Sequence, residues 1–438
     1  MFNNEMMSMF RLADAAVALF CLSGIATYAQ VVMTGAGLGT PITVSCGNCM
    51  STPLLIATSN GPNNASNSFV GLTSGFVNGS WTTTLANVSM PLPTSGTINN
   101  LFINFPTTLL QGSWAITMNI NGVSNGTLTC TVTTNSCNDA THSVSVNAGD
   151  VVAFQAVPTG TPTAQTITTQ VSAVFTSTIG QESAIFAAVP STPSNSVSQN
   201  IPFGVTTTWV ATASEVNISS LLAAAGTIDN LRVLPSATSS PGSYAVTVFH
   251  NGAATSLTCT VMNASACNDL VGGHAFSVAR GDTISVQATP ASTPAAIRLK
   301  VSARFVPTTT NQAVIFGVAT TAPVTTTTKF GNLSGTFSNT STETSTFVIA
   351  PIGMTFLNMS EVQDVAPGGA TTRSQTLRSN SANAGSVACT ILSIATSCVD
   401  LVNSFSASAG AQMDIQTTTS GTNAALTYYK TGIAVTVP

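Results

Sequence analysis

The chain has 438 residues, enough for several domains that each bury a core. Only 5% of the residues are charged and 44% are hydrophobic, which excludes intrinsic disorder because the chain has ample apolar surface to bury. The net charge of -4 excludes nucleic acid as a partner, since phosphate binding requires clustered Lys and Arg.

Residues 1–29 are predicted to be a secretion signal peptide. An apolar run from Ala15 to Ala26 follows Arg11, and residues 27–29 (Thr-Tyr-Ala) offer small side chains at the cleavage positions. The run is too short for a transmembrane helix, and no later apolar stretch is long enough to cross a bilayer. We therefore expect a secreted chain, extracellular or at a cell surface, with no membrane span.

Residues 30–52 are predicted to be an N-terminal arm, because they have no counterpart elsewhere in the chain. The arm contains the CxxC motif Cys46-Gly-Asn-Cys49. Such motifs serve in redox catalysis or hold half of a metal site, but no βαβ pattern follows this one. We predict a small structural disulfide loop. The arm is either a strand donated to a neighbouring molecule or an ordered leader.

The cysteines indicate an oxidising compartment. With Cys21 removed in the signal peptide, eight of the nine cysteines remain, in closely spaced pairs. The predicted disulfides are Cys46–Cys49, Cys130–Cys137, Cys259–Cys267 and Cys389–Cys398. Such short loops contribute roughly 2.5 kcal/mol each in the loop-entropy model, which substitutes for the salt bridges that this chain can hardly make.

Three copies of one unit follow the arm. GSWAITMNINGVSNGTLTCTV from Gly112 matches GSYAVTVFHNGAATSLTCTV from Gly242, and a more divergent third copy keeps the same order. Repeats of about 130 residues indicate whole domains rather than a solenoid. We place them at residues 53–178, 179–308 and 309–438, and call them repeats 1, 2 and 3.

Within each unit, apolar residues alternate with small or polar ones. Trp114, Ile116 and Met118 are an example, and Asn121-Gly122 supplies a hairpin turn. Short alternating strands separated by turn signals predict antiparallel β-sandwiches. The predicted fold class is all-β, with three tandem sandwiches, each carrying a hairpin disulfide.

The second half of each unit resembles the small jelly-roll domains of the tumour-necrosis-factor and complement-head type, found on bacterial collagen-like surface proteins. The matching residues, with their equivalents in repeat 1, are Gly242, Ser243, Tyr244, Asn251, Gly252, Gly281, Asp282 and Phe305. The resemblance implies a jelly-roll fold, and it implies trimerisation, which three copies in one chain could achieve as a pseudo-trimer. The cysteines are no part of the family pattern, and repeat 3 has Ala411 in place of the turn aspartate.

No enzyme activity or cofactor is predicted. The only histidines are His142, His250 and His274, without a triad order, zinc-ligand spacing or paired carboxylate motif. His142 and His274 occupy the same position in their repeats, where repeat 3 has Asn403. This equivalence favours a structural role.

An aspartate follows the second cysteine of every repeat, at Asp139, Asp269 and Asp400. One interpretation is a calcium site shared between Asp139 and Asp150, or between Asp269 and Asp282. The preferred interpretation is that these carboxylates accept backbone N–H bonds in the turn after the disulfide.

Five side chains are candidates for contacts with a ligand or another domain. Strand parity points Gln155, Gln287 and Gln416 away from the core, where amides suit neutral contacts with a domain or a second copy. Trp81 and Trp209 are candidates for stacking on a sugar.

Arg298, Lys300 and Arg304 are predicted on the outward face of the last strand of repeat 2. That row would meet an acidic partner, or keep an exposed sheet edge from aggregating.

The triple repeat, the disulfides and the scarcity of charge predict a secreted structural protein of a cell surface, extracellular matrix, fibre or coat. Its expected partners are further copies of itself, or its own repeats in a pseudo-trimer. The alternative is a carbohydrate-binding adhesin or lectin-like module, whose partners would be glycans.

Overall fold

A computed structural model describes residues 49–58, 60–73, 81–165, 168–204, 208–212, 215–263, 265–319, 328–336, 340–426 and 428–438. The predicted signal peptide, most of the arm and Cys46 lie outside these residues. Cys49 is disulfide-bonded. Among the described residues, no helix is long and apolar enough to cross a membrane.

The described part of the chain is built almost entirely of strands. The strands of repeat 1 are β1 Ser51–Thr58, β2 Ser68–Val70, β3 Met90–Pro91, β4 Gly96–Asn104, β5 Ser113–Ile120, β6 Val123–Val132, β7 Ser136–Val146, β8 Val151–Thr159 and β9 Thr169–Ser177. β1 begins at Ser51, and Met50 is fully buried, so the first sandwich starts within the predicted arm.

Repeats 2 and 3 continue in the same order. The elements of repeat 2 are β10 Ser183–Ala188, β11 Gln199–Pro202, β12 Val210–Ala211, the short helix α1 Glu215–Ile218, β13 Ser220–Leu221, β14 Gly226–Pro235, β15 Ser243–His250, β16 Ala253–Met262, β17 Cys267–Asp269, β18 Phe276–Val278, β19 Thr283–Ala291 and β20 Leu299–Pro307. Those of repeat 3 are β21 Gln312–Ala319, β22 Lys329–Asn332, β23 Gly335–Thr336, β24 Val348–Ile349, β25 Met354–Gln363, β26 Thr372–Ser379, β27 Ala382–Leu392, β28 Ser397–Ala407, β29 Gln412–Ser420 and β30 Tyr429–Thr436.

Each repeat is a two-sheet sandwich, as predicted. In repeat 1 the sheets have the strand orders β1-β9-β4-β7 and β2-β8-β5-β6. Repeats 2 and 3 contain the matching orders β10-β20-β14-β17 and β11-β19-β15-β16, then β21-β30-β25-β28 and β22-β29-β26-β27. The alternating apolar residues of both sheets fill the core between them. The fold class, all-β with jelly-roll-like sandwiches, is confirmed.

Three predicted disulfides are confirmed: Cys130–Cys137, Cys259–Cys267 and Cys389–Cys398. Each joins consecutive strands, as a hairpin disulfide does, but the two strands are edges of opposite sheets. The bond therefore ties the two layers of the sandwich together along its open side.

The first strand of every repeat is shared between two cores. In β1, Leu54 and Ile56 pack in the core of repeat 1, whereas Leu55 and Ala57 pack in the core of repeat 3. β10 is shared in the same way between the cores of repeats 1 and 2, with Phe186 in the core of repeat 1. β21 is shared between the cores of repeats 2 and 3. Burial on both faces explains the continuous apolar runs in these strands, such as Leu54–Ala57 in β1.

Contacts between the repeats close into a ring. β20 packs on β3, β30 packs on β13, and β9 packs on β24, so each repeat contacts both others within one chain. At the centre, the first strands of the three repeats surround a cavity of about 50 Å³ with residues that include Leu55, Ile185 and Ile315.

The basic row of repeat 2 is the main correction to the sequence analysis. Lys300 and Arg304 do point away from their own core, but that face is covered by repeat 1, and Lys300 is fully buried. Its Nζ donates to the carbonyl of Ala86 at 2.5 Å. Arg304 pairs with Glu182 and Asp229. β20 lies between β10 and β14 and is therefore not an edge strand. The acidic groups that Arg304 contacts belong to its own repeat and not to a separate partner molecule.

Candidate functional site

The largest concentration of exposed apolar side chains in the described residues lies on β27, β28 and the turn between them. This apolar hairpin presents Ile394 and Val402 at 89% and 91% exposure, together with Leu392, Val399 and Leu401. Single exposed apolar residues are ordinary on protein surfaces, but a cluster is typical of an interaction site.

The strand positions account for this exposure. β27 pairs only with β26, and β28 pairs only with β25, so both are edge strands of their sheets. The register between β25 and β28 shifts, and residues 401–403 bulge outward opposite Asn358, which has a φ of 53°. Such bulges interrupt a ladder and re-aim side chains, which here directs Leu401 and Val402 outward.

Asp400 holds the bulge in place. Its carboxylate accepts hydrogen bonds from the backbone N–H groups of Ala388, Val402 and Asn403, at 3.1 to 3.2 Å. Burial raises the pKa of Asp400, but the N–H donors, first that of Asn403, outweigh it and leave the pKa below its ordinary value. Because Ala388 belongs to the opposite sheet, the carboxylate also bridges the two layers.

The same arrangement recurs in repeats 1 and 2. Asp139 accepts from the N–H groups of Thr129 and His142, and Asp269 accepts from those of Thr258 and Val271. Burial raises the pKa of Asp139, yet these hydrogen bonds bring it down to about 2. The preferred interpretation of the repeated aspartates is confirmed.

The histidines at the equivalent positions of repeats 1 and 2 lie within hydrogen-bond distance of these carboxylates. Nδ1 of His142 lies 3.0 Å from Asp139, and Nδ1 of His274 lies 2.7 Å from Asp269. The amide of Asn403 takes the same place beside Asp400. The three side chains are interchangeable because each offers a donor to the same buried carboxylate.

The predicted calcium pairs do not converge. Asp150 bonds the side chain of Asn121, and Asp282 bonds Asn251 and His250. In the described part of the chain, one group of at least three His, Cys, Asp or Glu ligand atoms lies within 4.8 Å, and it contains none of these aspartates. The described residues therefore give the calcium interpretation no support.

Electrostatically, the apolar hairpin is neutral at its surface. Asp400 is the only charged residue between Ala382 and Ala407, and it is buried. Repeat 2 exposes Met262 at the end of β16, and Leu270 and Val271 directly after β17. The bulge of repeat 1 carries Ala140 and Thr141 instead. The apolar surface therefore belongs to repeats 2 and 3.

Trp81 and Trp209 do not form a sugar platform. They are 8% and 4% exposed and pack in the cores of repeats 1 and 2. Nε1 of Trp81 donates to Oγ1 of Thr169 at 3.3 Å. That prediction is wrong, because a ring must present a face to solvent to stack on a sugar.

Two of the three glutamines form hydrogen bonds within their own repeats. Gln155 is buried and accepts from Asn119, whereas Gln287 donates to Asn200 and Thr212. Gln416 lies half-buried in β29, between β22 and β26. Their parity was predicted correctly, but the described bonds of Gln155 and Gln287 reach no other repeat.

Comparison of the chain with protein-family models and with curated proteins found no match. The sequence analysis missed the apolar hairpin, although one signal was present: Leu401-Val402 interrupts the alternation of apolar and polar residues in that strand.

Proposed function

We propose that this chain is a secreted structural subunit of a cell-surface coat, extracellular matrix or fibre, and that it has no enzymatic activity. It self-associates through the apolar hairpin of repeat 3. The observation that carries this proposal is the cluster of five exposed large apolar side chains, on two edge strands and the turn between them, without an exposed charge.

Burial of this surface supplies the driving force. Covering one large aliphatic side chain contributes about 1.5–3 kcal/mol. Val402 and Ile394 are almost fully exposed, so each has nearly all of that contribution available on contact. Edge strands add unpaired backbone groups that a neighbouring surface can satisfy.

The proposed partner is a second copy of the chain. The whole chain is poor in charge, with 5% charged residues and a net charge of -4, so little electrostatic repulsion opposes contact. Repeat 2 offers a second apolar surface around Leu270 and Val271. Contact between two different surfaces of successive copies is heterologous, and such contacts generate open chains unless the rotation closes them.

The test uses the exported chain, residues 30–438, in sedimentation velocity and electron microscopy across a range of concentrations. The variant L401A/V402T gives repeat 3 the residues that repeat 1 has at its bulge, Ala140 and Thr141. We expect the concentration needed for assembly to rise by about tenfold or more, as a loss of about 1.4 kcal/mol per contact requires. Val123→Thr removes an exposed apolar residue outside the hairpin and serves as the matched control.

Circular dichroism establishes that both variants remain folded. A wild-type chain that stays monomeric and forms no filaments at high concentration would overturn the proposal. So would a double variant that assembles at the wild-type concentration.

A further inference from the structure

Repeat 3 differs from the other repeats at the residue that faces its disulfide. The strand partner of the second cysteine is Ile103 in repeat 1 and Val233 in repeat 2. In repeat 3 the partner of Cys398 is Glu361, which is fully buried. A carboxylate has therefore taken a position that the fold otherwise fills with an aliphatic side chain.

This carboxylate lies against the sulfur atoms. Oε2 of Glu361 is 3.9 Å from Sγ of Cys398, and ligand atoms of Glu361, Cys389 and Cys398 all lie within 4.8 Å of one another. In the described residues, Oε1 of Glu361 has no hydrogen-bond partner. Leaving a buried carboxylate oxygen unpartnered is costly, so the site is better suited to a state in which a ligand engages it.

We propose that repeat 3 holds a zinc site that forms when the Cys389–Cys398 disulfide is reduced. The ligands are the two thiolates and the Glu361 carboxylate, with the fourth position open to water. Zinc binds thiolate sulfur at about 2.3 Å and carboxylate oxygen at about 2.0–2.2 Å, so both ligand types of this site are ones that zinc accepts.

The redox step balances with a dithiol as reductant. The dithiol gives two electrons and two protons to the disulfide, which becomes two thiols, and the dithiol closes to its own disulfide. Zinc then displaces both thiol protons and any proton on the Glu361 carboxyl group, and these protons leave to solvent. Cys398 is partly exposed, so a reductant can approach the disulfide from that side.

Charge balance supports zinc in this buried place. Two thiolates and one carboxylate carry three negative charges, and a zinc ion carries two positive charges. The third positive charge is Arg373, which is fully buried and interacts electrostatically with Glu361. The assembled cluster is neutral, which a low-dielectric interior requires. The disulfides of repeats 1 and 2 lack the carboxylate, so they are internal controls.

This inference does not depend on the proposed assembly. In the test, the full exported chain is reduced with excess dithiothreitol, desalted under nitrogen, and incubated with or without zinc chloride. Iodoacetamide is then added, and mass spectrometry follows the alkylation of each cysteine. We expect zinc to slow alkylation of Cys389 and Cys398 by about tenfold or more, the protection reached when free zinc exceeds its dissociation constant by that factor. Cys130, Cys137, Cys259 and Cys267 should react at unchanged rates.

Glu361→Gln keeps the side-chain volume and removes the charged ligand, so zinc protection of Cys389 and Cys398 should disappear. Equal protection of the Cys130–Cys137, Cys259–Cys267 and Cys389–Cys398 pairs in the wild-type chain would overturn the proposal, and so would an absence of protection at Cys389 and Cys398. Persistence of selective protection in Glu361→Gln would overturn the role of the carboxylate. The wild-type comparison alone decides the question if that variant does not fold.

Discussion

Lys300 in repeat 2 donates a hydrogen bond from Nζ to the backbone carbonyl of Ala86 in repeat 1, and the donor is completely buried. Lys430, at the equivalent position of repeat 3, donates to Oγ of Ser219 in repeat 2 at 2.6 Å. Repeat 1 has Gln170 at this position, and it bonds Asn104 in its own repeat. Two of the three contacts between repeats therefore contain a buried lysine, and the contact between repeats 1 and 3 does not have one at this position.

The buried lysine should make stability depend on pH. Burial lowers the pKa of Lys300 from 10.5 to about 7, with a further contribution from Arg298. Between those values the unfolded chain binds more protons than the folded one, so the free energy of unfolding rises with pH. Lys300→Gln should reduce this slope by up to about 1.4 kcal/mol per pH unit. Urea unfolding at several pH values across this range measures the slope, and parallel wild-type and variant curves would contradict the prediction.

The shared first strands should couple the repeats. Phe316 belongs to repeat 3 but is buried in the core of repeat 2, whereas its neighbour Ile315 packs in repeat 3. Phe316→Ala should cost about 3–5 kcal/mol and should lower the hydrogen-exchange protection of repeat 2. Ile315→Ala is the matched control and should affect repeat 3 first. If Phe316→Ala loosened only repeat 3, the assignment of this side chain to the core of repeat 2 would be wrong.

The aspartate beneath each bulge should stabilise its sandwich. Asp139→Asn keeps the shape of the side chain but removes the charge that accepts the N–H groups of Thr129 and His142. We expect a loss of about 1–3 kcal/mol in thermal or urea unfolding. The pKa of Asp139 is about 2 in the folded chain, against an ordinary value of 3.8. The stabilisation by the ionised carboxylate is therefore complete above pH 3.8 and is lost as the pH falls to about 2. An unchanged acid-unfolding profile in the variant would argue against this role.

Glu361 and Arg373 are buried in repeat 3 and interact electrostatically, so removing one of them should be costly and replacing both should be cheap. Arg373 occupies the position that Trp114 has in repeat 1 and Tyr244 has in repeat 2. Glu361 occupies the position that Val233 has in repeat 2. Burial raises the pKa of Glu361 to about 8, with Arg373 acting in the opposite direction. Above pH 8, where Glu361 is ionised, Arg373→Met should destabilise by about 3–5 kcal/mol, whereas E361V/R373Y should be neutral or stabilising by about 1–4 kcal/mol. If E361V/R373Y were less stable than Arg373→Met, the two charged groups would have a role beyond compensating each other's charge.

The sequence by itself determined the local architecture. Alternating residues such as Trp114 and Ile116 identified the buried face of each strand, because side chains alternate across a sheet. Closely spaced cysteines limited the disulfide partners, and the repetition of Asp139, Asp269 and Asp400 identified a structural role. All of these features depend on neighbours that are close in sequence or on a pattern repeated within the chain.

Only the tertiary structure decided what covers each outward face. Strand parity placed Lys300 and Gln155 away from their own cores, but it could not show that Lys300 bonds repeat 1 while the buried Gln155 bonds Asn119 of its own repeat. Trp81 is buried by contacts with residues such as Thr169, far away in the sequence. Leu401 and Val402, in contrast, remain exposed because their strand lies at a sheet edge. The period of a strand determines which side a residue faces, but the packing of distant segments determines whether that side meets water.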